Sequence, residues 1–172
     1  MKLPVEFQPW PKIPRYSAFN IRVTEKIDGT NGCIIIGEDG SFGVQSRNRL
    51  ITPEDDNYGF AKWAYENQEE LMTLGHGRHF GEWFGKGIQR GYNKEEKRFA
   101  LFNPFRPKEG LPTGVELVPL LYDGQFDLEV LRNLEQDLKQ NGSNVTPGYM
   151  NPEGMVIYFY TSKERVKWII NK

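Results

Sequence analysis

The chain is poor in cysteine and histidine, and it has no long apolar run and no excess of charge. One cysteine, Cys33, and two histidines in 172 residues exclude a disulfide framework and a multi-cysteine zinc site. No apolar run approaches the roughly 20 residues of a membrane span. The first ten residues hold no apolar signal core, so neither secretion nor a membrane anchor is expected. With 22 Lys+Arg against 23 Asp+Glu, the net charge is -1. That balance lacks the basic surplus usual in proteins held to nucleic acid by phosphate neutralisation. Such a contact would need a local patch, and the richest stretch runs through Lys86, Arg90, Lys94, Lys97 and Arg98, diluted by Glu95 and Glu96. These absences predict a cytoplasmic protein.

What is present is ordinary globular composition, 38% hydrophobic and 26% charged, with length enough to bury a core without staples. One domain is expected over residues 1–172. Pro4, Pro9, Pro11 and Pro14 make residues 1–17 an extended strap, with Phe7 and Trp10 as anchors on the body. Residues 19–25 alternate as a half-buried strand, and after the Gly29 and Gly32 break the run Ile34-Ile35-Ile36 reads as its hairpin partner. A strand at 42–46 follows the Asp39-Gly40 turn. Phe60, Trp63, Ala64, Leu71 and Leu74 predict a first helix that stops at Gly75. Strands are expected at 78–85, 98–102 and 115–121. A second helix carries Leu128, Leu131, Leu134 and Leu138 between Asp127 and Gly142. Strands at 154–160 and 165–170 close an α+β, mainly antiparallel arrangement with two helices.

The chemistry concentrates in Glu25-Lys26-Ile27-Asp28-Gly29-Thr30-Asn31. A lysine ending a strand before a glycine turn is aimed rigidly at whatever the turn borders. It becomes a nucleophile only as the neutral amine, against an unperturbed pKa of about 10.4. Lys-x-Asp-Gly alone recurs by chance in roughly a few chains per hundred, and the alternative is an exposed lysine beside a turn. Two further segments add acids. Gly81-Glu82-Trp83-Phe84-Gly85-Lys86-Gly87-Ile88-Gln89 sets Glu82 among glycines that let backbone approach a ligand, and Glu153 precedes the apolar strand from Gly154. Arg165 and Lys167, two apart, share one strand face. Converging cations suit a polyphosphate, and two acids suit hydrated magnesium. Arg47 adds a phosphate or ribose contact. His76 and His79 lack further metal ligands, Cys33 reads as a small core residue, and Trp83 reads first as a packing residue, with a stacking role beside Glu82 kept open.

In order, these segments resemble the covalent nucleotidyltransferase superfamily of ATP-dependent RNA ligases, DNA ligases and mRNA capping enzymes, most of all its RNA ligase 2-like branch. The resemblance spans residues 26–167. It implies an ATP-grasp-like nucleotidyltransferase domain of mainly antiparallel sheets with flanking helices. It implies ATP with Mg2+ (Mn2+ able to replace it) and RNA carrying 5′-phosphate and 3′-hydroxyl ends. Lys26 would hold AMP as a phosphoramidate. Glu25 would reach adenine through its backbone and Phe102 would stack on it. Asn31, Arg47 and Glu82 would hold the nucleotide, Glu153 would organise the metal through water, and Arg165 and Lys167 would bind the α-phosphate. Lys86, Arg90 and Lys94 are expected to touch the nucleic-acid backbone. Asn103 stands where the family commonly has Asp, and Arg165 where it has Lys. The sequence ends five residues after Lys167, without the C-terminal OB or helical domain of related ligases, so that grip would come from a separate nucleic-acid-binding partner or be absent, and self-adenylylation is better supported than sealing. Compact ligases of this kind resemble phage repair enzymes, acting in the host cytoplasm. A DNA ligase, a capping-type guanylyltransferase, or a silent nucleic-acid-binding module are the alternatives.

Overall fold

A computed structural model describes residues 5–15 and 19–172. Two sheets carry the architecture. Strands β1 (Asn20–Lys26), β8 (Leu120–Gln125), β9 (Gly154–Phe159) and β10 (Arg165–Ile169) form a four-stranded sheet in the order β10-β9-β1-β8. Strands β2 (Thr30–Ile36), β3 (Phe42–Gln45), β4 (Leu50–Ile51), β5 (Gly77–Gly85), β6 (Lys97–Leu101) and β7 (Val115–Leu117) form a six-stranded sheet in the order β4-β3-β2-β5-β6-β7. All pairings are antiparallel except β6 with β7. No helix among the described residues is long and apolar enough to cross a membrane.

Each sheet buries one face under helix. On the larger sheet Ile34, Ile36, Val44, Trp83, Phe99 and Leu101 pack against Phe60, Ala61, Ala64, Leu71 and Leu74. Those residues belong to α1 (Phe60–Glu66), α2 (Gln68–Leu71) and a 3-10 turn, Met72–Leu74. The expected single helix is therefore broken at Asn67, whose backbone leaves helical geometry. On the smaller sheet Ile21, Val23, Met155 and Ile157 pack with Leu131 of α3 (Leu128–Asn141), which Asp127 caps by accepting from the Glu129 and Val130 amides. A third cluster, Ile27, Phe84, Tyr92, Ala100, Val118 and Val145, joins the two sheets.

Three expectations fail here for tertiary reasons. β1 and β2 are not a hairpin: β1 pairs with β8 and β9, whereas β2 pairs with β3 and β5. The intervening turn crosses from one sheet to the other, because both strands bury apolar residues against different helix layers. Residues 115–121 are not one strand, since Pro119, which lacks a ladder donor, separates β7 from β8. The Val118 amide then bonds Leu101 O in one sheet, while Pro119 O accepts from the Glu25 amide in the other. Phe7 and Trp10 do not anchor the N-terminal segment, being 92% and 91% exposed; the remainder of residues 1–17 falls partly outside the described residues.

Candidate active site

The register of the smaller sheet fixes what shares a face. Glu25, Val23 and Ile21 oppose Met155, Ile157 and Phe159 and turn toward α3. Lys26, Thr24 and Arg22 therefore point the other way, with Val156 and Tyr158 of β9 and with Lys167 and Arg165 of β10. On the larger sheet Asn31 lies opposite Glu82, and Glu82 opposite Ala100. That face also carries Phe102 and looks away from the Trp83–Phe60 core. The two free faces meet at the Ile27–Gly29 turn, and Lys26, Glu153 and Asp28 lie close enough there to act electrostatically on the Glu82 carboxyl.

Lys26 Nζ donates to Glu153 Oε2 at 2.8 Å, both side chains part-exposed. Glu82 is 8% exposed, and burial pushes its carboxyl up to about 8; nearby Lys26 opposes that shift, while the Glu153 and Asp28 carboxylates add to it. At neutral pH Glu82 is thus mostly a protonated acid, able to donate a hydrogen bond. The Glu25 carboxylate is turned away from this cleft. It is buried and accepts from the Asn144 amide at 2.7 Å and from the Ser143 hydroxyl. Burial raises its pKa and those two partners pull it back. Glu25 thereby ties β1 to the loop after α3.

The glycines act by close packing more than by opening backbone to a ligand. A Cβ on Gly29 would come within 2.4 Å of Trp83 O and 2.8 Å of Phe84 Cβ, so the turn that follows Lys26 lies directly on β5. A Cβ on Gly154 would meet Trp168 O at 2.1 Å, which seats Glu153 at the β9–β10 edge.

Tyr92, which the sequence did not single out, connects the motif segments. Its buried hydroxyl accepts from the Asp28 and Glu153 amides at 3.1 and 3.3 Å and donates to Lys26 O at 3.3 Å. A phenol has one donor and two lone pairs, and all are used. Arg90, expected on the nucleic-acid surface, instead pairs with Asp28 at 3.1 Å and donates to Asn171 O and Asn151 O. Lys94 donates to Val145 O, and Arg98 pairs with Glu116. Of the 86–98 patch, Arg90 braces the turn, Lys94 and Arg98 are tied to other segments, and Lys86 and Lys97 stay exposed.

Phe102 stands 39% exposed at the end of β6, and Arg47 is exposed in the loop between β3 and β4. Trp83 is no stacking platform, being 1% exposed in the helix-side core with its indole N–H on Tyr58 O. Arg165 does not sit at the Lys26 level. It pairs across from Tyr158, while Gly154 is the residue opposite Lys26, so the two lie two same-face steps apart, about 13 Å along the sheet. Asn103 accepts from the Phe105 amide at 3.1 Å, a bond that the commoner aspartate would also make. His79 bonds Gly75 O and His76 faces Glu38, so the histidines do not converge. No group of three or more metal-ligating side chains forms among the described residues. The Glu153 carboxylate beside Lys26 suits a divalent ion that keeps most of its water and shares phosphate oxygens.

A family model for RNA ligase matches residues 20–169. Solved structures of Naegleria gruberi RNA ligase share the fold. An arginine-to-alanine variant with ATP and Mn aligns at TM-score 0.66 and 23% identity, over 91% of this chain and 51% of that one. A lysine-to-methionine variant with AMP and Mn aligns at 0.63 and 22%, over 90% and 50%. The chain thus spans about half the length of the solved relatives it matches. No curated protein matches it by sequence. With the match covering both sheets and every segment of the cleft, the chain belongs to the RNA ligase family.

Proposed function

We propose that the chain carries the nucleotidyl-transfer chemistry of an ATP-dependent RNA ligase, with Lys26 as nucleophile. The observation that carries this reading is the Lys26–Glu153 pair at the mouth of the cleft, with Glu82 beside it and Lys167 on the same sheet face. The pair must open and the ammonium must give its proton to solvent before attack. The Lys26 amine then forms an N–P bond to the α-phosphorus of ATP as the bond to pyrophosphate breaks, leaving lysyl-AMP. Lys167 stabilises charge growing on the α-phosphate. The protonated Glu82 and Asn31 hold the ribose side, Arg47 adds a phosphate or ribose contact, and Phe102 stacks on the base. The Glu25 amide is spent on Pro119 O, so a backbone contact to adenine falls to its carbonyl. Glu153 and water would hold Mg2+ or Mn2+, which neutralises phosphate charge when bound.

AMP then passes from Lys26 to a 5′-phosphate RNA end, and a 3′-hydroxyl displaces it to seal the strand. The solved relatives with ATP, AMP and Mn support this assignment of nucleotide and metal. The test is intact-protein mass after incubation with ATP and magnesium. The wild type gains one AMP and Lys26→Ala gains none. Labelling by GTP alone would move the chain to capping chemistry, and no gain with any nucleotide would overturn the reading.

A further inference from the structure

Beyond the lysine level, the free face of the smaller sheet bears a ridge of cations and rings that the nucleotide chemistry leaves unused. Two guanidinium groups share one aromatic ring: Arg22 Cζ lies 4.4 Å and Arg165 Cζ 4.7 Å from the Tyr158 centroid. Arg22 also lies 5.6 Å from the Phe105 ring and 5.8 Å from Tyr160. Phe105 comes from the loop after β6, so the ridge bridges both sheets. Asp123 is the carboxylate opposite Arg22 on β8, and one of its oxygens already accepts from the Tyr160 hydroxyl at 2.9 Å. Two guanidiniums against one engaged carboxylate leave a positive surplus, with Lys167 one same-face step away. The rings are open to solvent, Phe105 at 48% and Tyr160 at 37%.

We infer that this ridge seats a single-stranded segment of the RNA substrate, with a base stacked on Phe105 or Tyr160 and backbone phosphates on Arg22 and Arg165. Exposed rings interleaved with arginine planes are what unpaired bases and their backbone take up. A duplex would keep its base faces hidden from the rings. The bound nucleotide is served elsewhere, because the ridge lies about 13 Å along the strands from Lys26. The inference rests on the RNA ligase reading for the identity of its ligand, not for its geometry.

The test is fluorescence anisotropy of a 3′-labelled single-stranded RNA across a salt series, using wild type, Arg22→Glu and Phe105→Ala. AMP uptake and thermal unfolding are followed on the same preparations. Phe105→Ala weakens binding about tenfold, as expected for one lost base stack. Arg22→Glu flattens the slope of log affinity against log salt by about 0.7 or more, one phosphate contact on a single strand. AMP uptake is unchanged in both. Wild-type affinity and slope in both folded variants would overturn the inference, as would a wild type that takes AMP but binds no RNA. So would variants that lose AMP uptake yet keep RNA binding, since the ridge would then serve the triphosphate. A wild type that binds RNA through the ridge but takes no AMP would sink the ligase reading and leave the ridge standing.

Discussion

Glu82 shows how a single residue's environment sets its chemistry. Its carboxyl, raised to about 8 by burial, holds a proton more tightly folded than unfolded, where the value is 4.5. The stability it contributes is therefore full below about 4.5 and is lost as pH rises toward 8. Between pH 5 and 7.5, urea titrations should show wild-type stability falling by about 1.4 kcal/mol per pH unit more than Glu82→Gln. Equal slopes would remove the buried acid from the argument. Gly29 makes a second residue-scale case. Gly29→Ala drives a methyl into Trp83 O, so the nucleophile turn must lift off β5. Adenylylation should fall at least tenfold while Lys26 and Glu153 remain, which single-turnover mass measurements can read.

Among elements, the 86–96 loop matters most, because it braces the turn from behind. Tyr92→Phe removes the acceptor of the part-buried Asp28 and Glu153 amides. At about 1 kcal/mol for each lost hydrogen bond, a loss of roughly 1–2 kcal/mol is expected in denaturant titration. Slower AMP transfer should accompany it, as Lys26 loses the bond to its carbonyl. The α3 cap provides the contrast. Asp127→Ala should lower stability by about 1 kcal/mol and leave AMP uptake intact, because α3 covers the face of the smaller sheet that is turned away from the cleft.

The molecule as a whole carries almost no net charge, -1, and its most basic stretch is partly tied up internally through Arg90, Lys94 and Arg98. On the ligase reading, RNA seated on the cleft face meets few cations. Arg22, Lys26, Arg165 and Lys167 share that face. At about 0.7 per contact on a single strand, log affinity should fall with log salt at a slope no steeper than about -3. A steeper slope would point to a binding surface outside the cleft.

Local signals carried far in this chain. The alternation of β1, the Asp39-Gly40 turn, the Asp127 and Gly142 boundaries of α3 and the stop at Gly75 were all legible, because turn chemistry and capping act within a few residues. The motif segments around Lys26, Glu82 and Glu153 were legible too, each as a short run of its own. Their convergence was legible only through the family resemblance, because it depends on pairings across the chain. β1 and β2 look like a hairpin until each finds a different helix layer to bury against. Arg90 looks like a surface cation until Asp28 meets it, and Tyr92 looks like any aromatic until three backbone groups close on its hydroxyl. Glu25 and Lys26 are neighbours in sequence, yet strand alternation sends one carboxylate into the helix layer and the other side chain into the cleft. The sequence by itself determined which residues could do chemistry and where the chain turns. Tertiary structure alone decided which of them meet, because burial and hydrogen-bond satisfaction are settled between segments that only folding brings together.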